Sequence, residues 1–189
     1  MKNSIIILIL AALVFMTYGN ALFNDFTWDD FGLIVDNPFI KSIDQLPSLF
    51  TQHLGQHSPL TFGKGFQAYY RPFFVGSFMI DYCLWRLNPF FYHLENIVLY
   101  FFNILLVFFF VKNLTKNITL SFLTSLFFCL HPVHTEAVTP IFDRMDVLVT
   151  CFILGSLLFF IKAINQKKGR NRFYFFSLAC LVFGLLSKE

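Results

Sequence analysis

Apolar residues gather along this chain into five long stretches, 5–22, 92–111, 118–138, 147–161 and 173–187, separated by short polar connections. Each is read as a helix crossing a lipid bilayer, since a core of about 30 Å needs roughly 20 residues rising 1.5 Å apiece. The first stretch is read as a span rather than a cleaved leader, because it exceeds a typical leader's apolar region and Tyr18 to Leu22 lacks a small-x-small cleavage pattern. A sixth apolar run, from Phe73 to Leu87, is broken by Asp81 and Arg86 and is too short for an easy crossing. It is predicted to be an interfacial helix within a long first loop, 23–91. At 100° per residue Ser77, Asp81 and Asn88 share one stripe of it, and the Gly, Pro and polar residues between Asn37 and Gly65 predict irregular chain.

Charge then orients the spans. The connections 112–117 and 162–172 hold seven Lys or Arg and no acid, so they are predicted to face the cytoplasm together with the N-terminus. All 11 Asp and Glu then fall on the opposite side. The sequons beginning at Asn113 and Asn117 lie in a cytoplasmic turn on this reading and are expected to carry no glycan. The stripe His93, Asn96, Tyr100 and Asn103 is expected to pack against neighbouring helices.

Composition sharpens the class without changing it. With 57% apolar and 20% aromatic residues, and only 13% charged, the chain is an all-α membrane protein, a polytopic helical bundle of about five spans. A net charge of +3 confined to loops gives no reason to expect nucleic acid as a partner. The four cysteines form no CxxC pair and are read as filler.

Chemistry is sought where carboxylates and histidines meet the membrane surface. Asp29 and Asp30 are adjacent just after the first span; held near one pocket, such a pair raises one pKa and yields a general base. The same pair could simply cap a surface turn. His131, His134 and Glu136 follow only 13 apolar residues, which reach about 20 Å, so this cluster is expected to sit slightly below the outer interface. The histidines suit phosphate contact or hydrogen bonding better than zinc, because Pro132 interrupts the helix start and HExxH is absent. A helix cap is the structural alternative. The last stretch also ends in charge, Ser187-Lys188-Glu189, and two short spans ending so suggest a recessed, wet cavity. Arg71, His93, Arg144 and Lys188 stand on the same side; cations beside an acidic pair suit a phosphorylated substrate, with snorkelling the alternative for the arginines.

The order of these strings, Trp28-Asp29-Asp30, Asp36-Asn37-Pro38, Tyr70-Arg71-Pro72, Leu87-Asn88-Pro89, His131 through Val138, Arg144-Met145-Asp146 and Leu185 through Glu189, resembles the N-terminal membrane region of the transmembrane and tetratricopeptide-repeat O-mannosyltransferases and their bacterial relatives. The resemblance implies a family C glycosyltransferase fold, with 1–189 as the first part of its membrane domain and the later spans and repeats missing. It implies transfer of a sugar, mannose for this family, from a polyprenyl- or dolichyl-phosphate carrier to a hydroxyl of protein Ser or Thr, or of a glycan. The setting would be the bacterial inner membrane or the endoplasmic reticulum, with the lipid bilayer, the lipid-linked donor and the acceptor as partners. Asp29 or Asp30 would act as base. Arg71, His93, His131, His134, Glu136, Arg144, Lys188 and Glu189 would bind substrate, the cations near the lipid phosphate. No cofactor is implied beyond the donor, though a divalent metal is left open and no metal ligand is assigned. A non-catalytic membrane scaffold, or an inactive fragment of such an enzyme, is the competing reading.

Overall fold

A computed structural model describes residues 3–51, 69–166 and 168–188, which form seven α-helices joined by turns, with no strand among them. They are α1 (Asn3–Tyr18), α2 (Pro72–Trp85), α3 (Pro89–Thr115), α4 (Ile118–Leu130), α5 (His134–Val138), α6 (Arg144–Asn165) and α7 (Arg170–Leu185). Local chemistry sets their boundaries. Asn88 caps α3 by accepting from Phe90 N at 3.2 Å, with Pro89 in the first helical position where its missing N–H costs nothing. Lys116 takes the left-handed conformation (φ 56°), and Asn117 at once caps α4 by accepting from Thr119 N and Leu120 N. So tight a turn makes α3 and α4 antiparallel neighbours. Gly169, at φ 77°, likewise leads into α7 where a side chain would be strained.

Three of the expected spans meet the length and hydropathy of a crossing helix: α1 with its 3₁₀ extension (Asn3–Phe23), α3 and α6. Leu8, Phe127 and Phe175 are 70%, 73% and 66% exposed, which water would not tolerate in such number and lipid does. The stretch 118–138 is not one helix. α4 stops at Leu130, because the residue before a proline disfavours the helical region, and His131 is extended (ψ 125°) ahead of Pro132. The chain turns and resumes as the short α5. α4 and α7, at 13 and 16 residues, are shorter than an easy crossing requires.

The bundle has two ends of opposite charge. At one, Lys112 Nζ donates to Asn3 Oδ1 at 3.0 Å; at the other, the Tyr18 hydroxyl donates to Cys129 O at 3.4 Å. Ile6, Leu10, Val14, Ile97, Ile104 and Phe108 fill the space between α1 and α3. The polar stripe of α3 packs inward as expected: Asn96 donates to Pro140 O, Tyr100 to Phe128 O and Asn103 to Val147 O, at 3.0, 2.6 and 2.8 Å. Between α6 and α7, Ser156 and Ser177 each donate to the other's carbonyl (2.8 and 2.9 Å), a contact that small residues allow in lipid.

The described part of the first loop, 23–51 and 69–91, is packed down, and the rest of the stretch expected to be irregular, 52–65, lies outside the described residues. A π turn at Phe31–Val35 and 3₁₀ turns at Phe39–Lys41 and Ile43–Phe50 drop Leu33, Ile34, Ile40 and Leu49 onto Phe74, Phe78 and Met79 of α2. A helix is present where one was expected within this loop, and its apolar face packs against Leu33, Ile34, Ile40 and Leu49. Phe73 N donates to Leu186 O at 3.2 Å, which ties the start of α2 to the C-terminal end of α7.

Candidate functional site

The acidic pair follows Trp28, an 88% exposed aromatic held at φ 46°. A bulky residue in the left-handed region is strained by about 1–2 kcal/mol, and such strain gathers at functional turns. It separates the fates of the two carboxylates. Asp30 turns inward and is fully buried: Oδ2 accepts from Thr27 N at 2.9 Å and from its hydroxyl at 3.4 Å, while Oδ1 accepts from Phe142 N at 2.9 Å. Burial pushes its carboxyl up to about 6, against those hydrogen bonds. Asp29 turns outward, half-buried, and partial desolvation raises it too.

Asp30 thus fastens the first loop to the segment leading into α6, where more charge is concentrated. Asp143 lies within electrostatic range of Asp146, Glu136, Lys188 and Asp30, and burial with these neighbouring acids pushes it up to about 6, Lys188 opposing. Lys188 Nζ forms an ion pair with Asp146. The Arg71 guanidinium stacks on Tyr69 (4.2 Å) and approaches Met145 Sδ at 3.0 Å, one residue away. The first loop, the start of α2, the start of α6 and the end of α7 therefore converge on one acidic patch with two cations beside it.

A raised folded-state pKa means that the native protein holds the proton more tightly than the unfolded chain does. The Asp143 contribution to stability is accordingly complete below about pH 4 and is lost as pH rises through about 6. Asp143→Asn is expected to raise the thermal midpoint by about 2 °C at pH 7 and to leave it unchanged near pH 4. Scanning fluorimetry of the detergent-solubilised protein at both values checks this.

Arg144 lies elsewhere than the phosphate-lining position expected of it. Its side chain is fully buried; Nε donates to Asn96 Oδ1 at 2.7 Å, Nη1 to Ser77 Oγ and in an ion pair to Asp81, and Nη2 to Tyr92 O at 3.1 Å. Glu95 Oε2 stands 3.6 Å away, and the Phe78 ring lies under the guanidinium. Neither lipid-phosphate contact nor snorkelling fits a guanidinium enclosed on all sides. It joins α2, α3 and α6. Asp81 and Ser77 were visible as a polar stripe on an apolar helix, and a lone carboxylate in such a helix signals a buried partner. Its identity needed the fold, as did the involvement of Asp143 and Asp146.

The histidines diverge. His131 is exposed, with Nδ1 accepting from Val133 N at 3.2 Å, while His134 packs, tilted, against Phe128 at 4.3 Å beside Tyr100. Glu136 is exposed on α5. His93 is 3% exposed, its ring close to the backbone of Asn24, Asp25 and Thr139 but without a well-formed hydrogen bond to either nitrogen. Glu189 lies outside the described residues. Among the described residues no three His, Cys, Asp or Glu side chains stand close enough to hold a metal ion.

Comparison with known proteins gives this arrangement its relatives. The chain is 33% identical over 165 residues, 84% of its length, to the protein O-mannosyl-transferase TMTC1 of Homo sapiens. It is 32% identical over 163 residues, 86% of its length, to protein O-mannosyl-transferase TMTC3 of Homo sapiens, and 35% identical over 163 residues, 85% of its length, to protein O-mannosyl-transferase TMTC2 of Mus musculus. The chain spans less than a fifth of these relatives, 18%, 17% and 19% of their lengths. No family model matches the sequence, and no solved structure matches it.

Proposed function

This chain belongs to the protein O-mannosyl-transferase family, and from that premise we propose that it forms the first part of a glycosyltransferase C type membrane domain that passes mannose from a polyprenyl- or dolichyl-phosphate carrier to a Ser or Thr hydroxyl. The observation that carries the reading is the division of labour in the acidic pair. Asp30 spends both oxygens on the protein's own donors, whereas Asp29, next to it and half-buried, keeps its carboxylate for an outside group.

In this reading Asp29 accepts the proton of the acceptor hydroxyl as its oxygen bonds to the anomeric carbon. The bond from that carbon to the carrier phosphate breaks, and polyprenyl phosphate leaves with the electron pair. Lys188 and Arg71, beside the patch, meet the charge that develops on the phosphate. His131, His134 and Glu136 border the same end and contribute to the acceptor and donor rim, while His93, buried beneath it, packs against the start of the first loop. Asp30 is a positioning residue that holds the turn against Phe142. The acidic end faces the non-cytoplasmic side and the basic connections the cytoplasm. α4 and α7 complete five crossings where the bilayer thins to meet them.

The test is transfer of labelled mannose from a polyprenyl-phosphate donor to a Ser/Thr peptide. It is run in membranes holding the 189-residue chain and, in parallel, the longest natural protein that contains it. Transfer by either, abolished when Asp29 and Asp30 are both changed to Asn, supports the reading. Transfer that survives the double change overturns the role given to the acidic pair, and no transfer by either protein leaves a membrane scaffold.

A further inference from the structure

The basic end of the bundle, opposite the acidic patch, carries a cleft of its own. Asn103 stitches α3 to α6 at Val147, and beyond that bond the two helices part to leave about 520 Å³ between them. Its floor is apolar, including Phe109 and Leu158, and its rim is polar: Asn113 and Lys116 from the end of α3, Lys162 and Asn165 from the end of α6. From Leu106 to Lys116 on one wall, and from Gly155 to Asn165 on the other, each helix covers ten residues, or roughly 15 Å. The cleft therefore runs from the headgroup level into the hydrocarbon layer.

Charge selects what fits there. Lys116 and Lys162 are both exposed, and no described carboxylate lies at this end, every one belonging to the first loop, to α2, to the head of α3 or to the segment around α5 and the start of α6. Neither lysine has an ion-pair partner among the described residues, and Lys162 rests over the Phe173 ring at 5.0 Å with its charge unopposed. Cations at the rim, amide donors beside them and an apolar floor reaching inward match a molecule with an anionic head and hydrocarbon chains.

We propose that this cleft binds an anionic phospholipid of the bilayer, its phosphate between Lys116 and Lys162 and its acyl chains against Phe109 and Leu158. A basic pocket between transmembrane helices is a recognised setting for such headgroups. The site is separate from the acidic patch and does not depend on the transfer reaction.

The test is native mass spectrometry of the chain purified in detergent and exposed to phosphatidylglycerol and phosphatidylcholine at equal concentration. Retention of phosphatidylglycerol over phosphatidylcholine is expected on the order of tenfold, falling to parity in Lys116→Gln/Lys162→Gln. Both lysines are exposed, so the fold should persist, and circular dichroism verifies it. Lys112→Ala is the control: it removes a cation from the same end but outside the cleft, and the preference should remain. Equal retention of the two lipids, an equal loss in the Lys112 variant, or self-association of the chain through the same two lysines overturns the proposal.

Discussion

Arg144→Ala is expected to be the most damaging single change in the protein, costing about 3–5 kcal/mol of stability and removing any transfer activity with it. The arginine cannot be deprotonated, and Asp81 is buried beside it, so truncation leaves a carboxylate in a place without water. Asn96, Ser77 and the Tyr92 carbonyl lose their donor at the same stroke. Because Phe142, two residues before Arg144, donates to Asp30, the acidic pair would lose its anchor as well. Replacing both charges by apolar residues of similar size, Arg144→Met with Asp81→Leu, is expected to recover much of the stability but not the placement of the loop. Thermal or denaturant unfolding in detergent reads the first effect, and limited proteolysis of the first loop the second. A cost below about 1 kcal/mol for Arg144→Ala would show that the bridge does not hold the helices together.

Asp29→Asn and Asp30→Asn are expected to fail differently. Loss of a general base lowers a rate by about 10²–10⁴-fold while sparing the fold, and that is the expected result for Asp29. Asp30→Asn presents an amide N–H to one of the donors its carboxylate now accepts from, so its unfolding midpoint and its transfer rate should fall together. The two variants are compared by labelled-mannose transfer and by unfolding on the same preparations. A large rate loss in Asp30→Asn at unchanged stability, with Asp29→Asn active, would exchange the roles. A neutral loss in both would remove the acidic pair from the chemistry.

Several elements could be read directly from residue order. The helical spans follow from runs of apolar residues too long to hide in water, whereas the caps at Asn88-Pro89, Lys116-Asn117 and Gly169 that set their ends emerged with the structure. The separation of basic connections from acids was equally legible, and the structure places the two charges at opposite ends of the bundle. The inward stripe of α3 appeared as Asn96, Tyr100 and Asn103 at helical spacing. Motif order was specific enough to name the family before any fold was known.

Other features depend on residues far apart in the chain. The break at His131-Pro132 follows from the proline, but the apolar run around it read as a continuous span; only the placement of α4 and α5 showed that the chain turns there. Arg144 looked like one more outward cation, because sequence spacing does not reveal that Asp81, 63 residues earlier, and Asn96, 48 residues earlier, meet it in a space closed to water. The same limit applies to Asp29 and Asp30. Two adjacent carboxylates are equivalent in a sequence; what separates them is a turn at Trp28 and an amide at Phe142, 112 residues from Asp30. Local propensity and hydrophobicity determined that this is a helical membrane protein and roughly where its apolar helices lie. Which charges are buried, and which are left for substrate, was decided by tertiary packing, because desolvation and long-range hydrogen bonds exist only once the helices have met.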